Sequence, residues 1–231
     1  MLILLKKSYV ALCIFLAAAI VFSAAFFGRA EDVSAPGEKN VIVIDPGHGG
    51  MDGGAVGCTG VLEKNINLSI ALQLKTIAEK DGKKVIMTRD TDTSLHTTES
   101  SKIRAQKRSD LSNRKKVLEE NGNAVFVSVH QNKFEQSKYR GAQVFYADNS
   151  ESEALGGAVQ KSLITSLADG NTRTAKKAPG EVYLLKGVKT PAVIVECGFL
   201  SNPEEEKLLT ENSYQTKVAQ AIYDGICAYM K

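Results

Sequence analysis

The sequence predicts an α/β fold: a single domain with a mainly parallel central sheet and helices on both faces. Three observations predict it. Short apolar runs alternate with stretches of helical period from residue 41 to the C-terminus. The runs VIVID (41–45), AVFVSV (124–129) and AVIVE (192–196) are apolar at nearly every position, as strands covered on both faces must be. No internal repeat breaks the alternation, and 231 residues with 43% hydrophobic content suffice for one sizeable core.

The first strand, 41–45, runs into Pro46-Gly47, and the helix that follows spans 63–80. Ile66, Ile70, Leu74 and Ile77 recur there at helical spacing, and Asp81-Gly82 ends the pattern. KVIMT (84–88) is the second strand. The tract from Arg89 to about Lys107 has no apolar period and reads as a long loop, with helix resuming from Asp110 to Glu120. After the strand 124–129 come a strand at 141–146, a helix at 152–167 and strands at 182–185 and 192–196. The chain closes on a helix that carries Val218, Ala221, Ile222, Ile226 and Tyr229 on one face.

The domain begins near residue 40. Residues 1–30 place Lys6 and Lys7 before an uncharged, mostly apolar stretch from Ser8 to Phe27, which is an export signal peptide or an N-terminal membrane anchor; 31–39 is a linker. The stretch satisfies both length criteria, because a spanning helix needs roughly 20 apolar residues. With either outcome the positive flank stays inside and the domain lies outside the cytoplasm, secreted or anchored to the membrane through this segment.

Lys6, Lys7 and Arg29 all precede Glu31, so the remainder carries 26 Lys and Arg against 26 Asp and Glu. A neutral exported domain is a poor nucleic-acid binder. The basic cluster Lys102, Arg104, Lys107, Arg108, Arg114, Lys115 and Lys116 reads as a solvated helix face. Cys58, Cys197 and Cys227 lie in the domain, and an odd number leaves at least one thiol free. No disulfide scaffold is expected.

Three short runs carry the chemistry: DPGHGG (45–50), SVHQN (128–132) and VECGFLSN (195–202). With Glu63 in GVLEKN they supply His48, His130, Glu63 and Glu196, two histidines and two glutamates, enough for a catalytic zinc site. Three protein ligands leave a coordination position open for water, and a fourth carboxylate can move that water's proton. All four residues fall at the carboxyl ends of predicted strands or at the start of the helix that follows, the edge where open α/β sheets bind ligands. Taken alone, Glu63 reads first as a carboxylate complementing a helix dipole. Glu196 is harder to explain away, because a carboxylate ending an apolar strand is costly to bury without a partner. Cys58 is a weaker ligand candidate than Glu63. Cys197 points to the opposite face from Glu196 by strand alternation, and His96 has no strand end to present it.

The blocks VIVIDPGHGGMDGGAVGCTGVLEKNINLSIALQL, LSNRKKV, VFVSVHQN and TPAVIVECGFLSNPEEEKLL resemble the zinc-dependent N-acetylmuramoyl-L-alanine amidases of the amidase-3 family, from about Asn40 to the C-terminus. The resemblance implies a sheet of about six strands flanked by helices, one zinc ion per chain held by His48, Glu63 and His130, and Glu196 as the catalytic glutamate. It implies peptidoglycan as substrate and hydrolysis of the amide between muramic acid and L-alanine. KRSDLSNR and the ECGFLSN form of the last motif are most similar to the germination-specific branch. That likeness implies a role in spore-cortex maturation with muramic-lactam formation, and the forespore intermembrane space as a setting. Gly53 departs from the proline that many relatives carry there, which loosens that turn. Asn132 and the Gly49-Gly50 backbone are expected to shape the site. Arg173 and Lys176, on the segment 168–180, read either as substrate contacts or as ordinary loop charges. No second domain is available to bind cell wall, so placement is expected to come from the anchor, from the compartment or from an exported accessory protein.

Two other readings use the same residues. A zinc carboxypeptidase acting on wall peptides commonly opens with a His-x-x-Glu pair, whereas here fourteen residues lie between His48 and Glu63. A noncatalytic wall-binding module would keep the groove but have no use for Glu196.

Overall fold

The structure, a computed structural model, describes residues 40–231. The expected leader (1–30) and linker (31–39) lie outside the described residues. Six strands form one sheet: β1 (Val41–Pro46), β2 (Lys84–Met87), β3 (Val125–Asn132), β4 (Gln143–Tyr146), β5 (Lys176–Lys177) and β6 (Ala192–Phe199). Their order is β2-β1-β3-β6-β4-β5. The first four in that order run parallel, and β4 and β5 run antiparallel to them. Among the described residues five α-helices accompany the sheet: α1 (Glu63–Lys80), α2 (Ile103–Glu120), α3 (Ser150–Leu167), α4 (Pro203–Thr210) and α5 (Asn212–Met230).

Side-chain alternation along the strands builds two cores. Ile42 and Ile44 of β1, Val125, Val127 and Val129 of β3, and Val193, Val195 and Cys197 of β6 join the buried faces of α1, α3 and α5. The intervening Val43, Phe126 and Ala192 face the other way, onto Leu118 of α2 and onto Leu184 and Leu185. By the same alternation Asp45, Ser128, His130 and Glu196 lie on the α2 face, so each of the three central strands is apolar on one side and turns polar toward its carboxyl end on the other.

Three expected elements differ. Residues 182–185 form no strand: Tyr183–Leu185 is a single 3₁₀ turn that buries Leu184 and Leu185 in the smaller core, and the sheet edge is taken by Lys176–Lys177. Helix α2 starts at Ile103 rather than Asp110, because Arg104-Ala-Gln-Lys-Arg108 consists of good helix formers that need no apolar face of their own. Both β3 and β6 continue past their apolar runs, to Asn132 and Phe199, so His130 and Glu196 sit within strands and not just after them.

Candidate metal centre and its surroundings

The sheet order places β2 on one side of β1 and β3 on the other. The loops leaving β1 and β3 therefore diverge, and the crevice between them is where an open sheet admits a ligand. His48 hangs from the loop after β1, and His130 stands near the end of β3. Glu63 is the first residue of α1, where the helix dipole favours a negative charge. One ligand atom from each of these three lies within 4.8 Å of the others. Glu196 is the direct register partner of His130 across β3 and β6, on the same face of the sheet.

Backbone conformation explains how His48 reaches the centre. Its φ is 61°, and Gly49 and Gly50 follow at 132° and 57°. A non-glycine residue held in the left-handed region carries a local cost of roughly 1 kcal/mol or more, which the surroundings must offset. Two buried arginines do so. Arg89 donates from Nε to Pro46 O (2.9 Å) and from Nη2 to Gly47 O (2.9 Å). Arg114, 2% exposed, donates from Nη1 to Asp45 Oδ1 (2.5 Å) and Pro46 O (2.8 Å), and from Nη2 to His48 O. Arg114 thus belongs to the site's foundation and not to the solvated helix face on which the sequence placed it. Gly47 has no freedom to be anything else, since a Cβ there would sit inside the His130 ring. A Cβ on Gly54 would meet both Glu63 and His48.

The Glu63 carboxylate is the hub. Oε1 accepts from Gln131 N (3.0 Å) and Asn67 Nδ2 (3.1 Å) and lies 3.0 Å from His130 Nδ1. Oε2 accepts from Ala55 N (2.8 Å) and lies 3.1 Å from His48 Nε2. Burial alone would raise its pKa, but the two histidines outweigh burial and hold it far below the usual carboxylate range. On its other ring nitrogen His48 meets Asp52 Oδ2 at 2.9 Å, and Asp52 Oδ1 pairs with Lys107 Nζ of α2 at 2.8 Å. Burial opposes the charged imidazole, yet Asp52 and Glu63 together raise the His48 pKa to about 9. The pocket therefore favours positive charge. Two imidazoles, one carboxylate and a carboxylate orienting the first imidazole fit the donor set and outer support of a zinc site with room for water.

Glu196 keeps partial exposure as a residue, but its Oε2 is sealed from solvent and has no hydrogen-bond partner among the described residues. Burial, reinforced by Glu63 and opposed by His130 and His48, pushes its pKa up to about 7. A poised, unpaired carboxyl beside a candidate metal site is chemically suited to taking and returning a proton.

Residues 42–228 match the Amidase_3 family, N-acetylmuramoyl-L-alanine amidase. The chain belongs to the amidase-3 family. The amidase is 39% identical to the germination-specific N-acetylmuramoyl-L-alanine amidase of Bacillus subtilis over 197 residues, 85% of this chain and 82% of that protein. In structure it is similar to the CwlD amidase of Clostridioides difficile, solved in complex with the GerS lipoprotein. The TM-score is 0.78 at 45% identity, covering 82% of this chain and 98% of that one. The catalytic domain of CwlV from Bacillus (Paenibacillus) polymyxa var. colistinus matches with a TM-score of 0.70 at 34% identity, over 82% and 97% of the two chains. The amidase is accordingly a peptidoglycan hydrolase, and the carboxypeptidase and noncatalytic readings give way.

Other expected residues lie where the sequence put them, or apart from the centre. Asn132 ends β3, two residues beyond His130. Arg173 packs its guanidinium on the Phe199 ring, and Lys176 is exposed on the edge strand β5. Cys58 turns its Sγ to Leu200 O (3.3 Å) and joins no ligand group, while Cys197 is buried in the opposite core; all three cysteines of the described residues are free. Sequence reading missed Asp45, Asp52, Arg89, Arg114 and the constraint on Gly47. Asp45, Asp52 and Gly47 sit inside the quoted DPGHGGMDGG run, but nothing in a one-dimensional pattern tells which of its polar residues supports which.

Proposed function

We propose that this amidase is zinc-dependent, with His48, Glu63 and His130 holding one zinc ion and Glu196 acting as the catalytic general base and acid. In this reading it cleaves the amide between the lactyl group of N-acetylmuramic acid and L-alanine during spore-cortex maturation. The observation that carries the catalytic part is the convergence of the three donors within 4.8 Å beside the unpaired Oε2 of Glu196. When bound, zinc supplies Lewis acidity, polarising the amide carbonyl and lowering the pKa of a water to about 7. Glu196 accepts the proton of the attacking water. It then delivers that proton to the L-alanine nitrogen as the C–N bond breaks, leaving a lactyl carboxylate and a free amine. Asp52 keeps His48 in register for its part, and Asn132 with the Gly49-Gly50 backbone bounds the space beside the scissile bond. Arg173 and Lys176 contact the peptide side of the substrate.

The cortex role is supported by the likeness to the germination-specific amidase and to CwlD. There the freed lactyl group is the precursor of muramic lactam. The enzyme acts outside the cytoplasm, exported by residues 1–30 as a cleaved signal or retained anchor, and among the described residues no helix is long and apolar enough to cross a membrane. An exported accessory protein positions it, a reading supported by the lipoprotein complex of CwlD.

The test is digestion of purified muropeptides with and without a chelator, read by mass spectrometry, alongside Glu196→Ala. We expect the chelated enzyme to release no L-alanine-terminated peptide. The variant should keep its zinc and lose about 10²–10⁴-fold in rate. Undiminished product release by the variant would remove Glu196 from this role. Cortex muropeptides from a strain lacking the gene should contain no muramic lactam.

A further inference from the structure

The carboxyl end of β6 runs into a patch that the hydrolytic chemistry does not use. Phe199 closes the strand three residues beyond Glu196 and is register partner to Asn132. The ring of Phe134, 48% exposed, meets Phe199 edge-on at 5.3 Å and Tyr139 at 5.2 Å, and Tyr139 stacks over Phe199 at 6.2 Å. The Arg173 guanidinium lies 5.1 Å from the centre of the Phe199 ring, and its Nε donates to Arg140 O (3.3 Å). Neither contact neutralises its charge. Arg140 has only a loose pairing at 3.9 Å with Glu204, which is itself 84% exposed.

Between the two arginines opens a cleft of about 240 Å³ that also includes Asp169 and Asn171. Its walls are fixed. Asp169 Oδ1 is taken by Asn171 N (3.0 Å), and Asn171 Oδ1 accepts from Arg173 N (3.0 Å) while its Nδ2 donates to Ala142 O (2.8 Å). The buried Glu205 staples the floor, accepting from Gly141 N and Phe199 N at 2.8 Å each. Gly141, with φ of 89°, lets Asn171 approach where a Cβ would collide with it.

Phe199 is buried beneath Arg173, so Phe134 and Tyr139 form the accessible shelf, and in the cleft beside it two guanidinium groups outnumber the single carboxylate of Asp169. This edge takes a ligand that is partly apolar and carries a carboxylate, since arginine on a ring face keeps its fork free for bidentate pairing. Strand rise fixes the reach: a bulge in β6 sets Glu196–Phe199 against His130–Asn132, two residues of β3, so at about 3.3 Å each the shelf lies roughly 7 Å beyond Glu196. A peptide advances at most about 3.3–3.6 Å per residue, so the second or third residue after a scissile amide at Glu196 arrives there. We propose that Arg173 and Arg140, beside the accessible rings of Phe134 and Tyr139, bind the free α-carboxylate of the γ-linked glutamate at the second position of the stem peptide. The enzyme thereby distinguishes that carboxylate from its carboxamide. This rests on the reading that Glu196 works on the lactyl–L-alanine amide.

The test uses two muramyl peptides that differ only in a carboxylate or a carboxamide at that position, with the zinc-loaded enzyme. We expect kcat/KM to favour the carboxylate by about tenfold or more, with the difference in KM, because a charged hydrogen-bonded pair is worth roughly 1.5–3 kcal/mol. In Arg173→Gln and in Arg173→Gln/Arg140→Gln the preference should collapse to within about twofold, and Arg173→Lys should restore part of it. Calorimetric titration of the Glu196→Ala protein should show the same ratio in Kd, independently of turnover. Equal handling of the two peptides by the wild type, or a preference that survives the double variant, overturns the proposal while the amidase reading stands. Cleavage of neither peptide by the wild type overturns both.

Discussion

Glycine 47 and glutamate 196 show how much a single residue can decide. Gly47 lies flat under the His130 ring, so Gly47→Ala must push the ring or the loop aside. We expect a loss of about 1–3 kcal/mol in stability by urea unfolding, as overpacking usually costs, together with weaker zinc binding. Asp52 acts on His48 from the far side of its ring, and Lys107 holds Asp52. Asp52→Asn should therefore weaken zinc by about 10–100-fold in competition with a chromophoric chelator, with Lys107→Met falling between it and the wild type. These residues also mark the limit of sequence reading. The nearness of His48, Glu63, His130 and Glu196 was legible because three of them end or follow apolar strands and Glu63 opens the helix after the first. Arg114 was not, because a helix rich in charge does not disclose which arginine turns inward.

At the scale of elements, α2 and β1 are joined by one buried ion pair, Arg114 to Asp45, with Asp110 on the other side of the guanidinium. Burial would raise the Asp45 pKa, but Arg114, Ser128, Thr88 and His130 hold it below its ordinary 3.8. A carboxylate with a depressed folded-state pKa stabilises fully above its unfolded value and loses that contribution as pH falls through the folded one. Asp45→Asn should thus cost about 3–5 kcal/mol near neutrality, as breaking a buried pair does, and progressively less below pH 4. A gap between variant and wild type that is constant with pH in denaturant titrations would contradict this. The same pair explains a boundary the sequence placed too late. Residues 103–109 lack an apolar stripe, yet helix reaches back through them because propensity extends it from the turn that Asp110 and Arg114 anchor. Conversely, VYLL looked like a strand because four apolar residues in a row do not reveal their period.

For the whole molecule, the proposed ligands come from a loop, a helix start and a strand end that meet only in the folded state, so in the zinc reading the ion would bind the native protein and hardly the unfolded chain. Mass action then predicts stabilisation of about 4 kcal/mol at a thousandfold excess over Kd. For a domain of this size that is roughly 10 °C in Tm, measurable by calorimetry with and without chelator. Far-ultraviolet circular dichroism below the transition should be unchanged, since neither hydrophobic core includes His48, Glu63 or His130. The architecture as a layered α/β domain was readable from alternation alone. The antiparallel turn of β4 and β5 was not, because strand direction leaves no periodic trace.

That outer strand has a consequence of another kind. An open sheet ends in two rims of unpaired backbone groups, each a template on which a foreign strand can grow. Here one rim is β5, two residues long and both lysine, and the other is β2, four residues long and preceded by Lys83 and opened by Lys84. Short, cationic rims resist edge-to-edge association. The sheet can thus remain open, with its crevice accessible to a polymeric substrate, without recruiting copies of itself into larger aggregates.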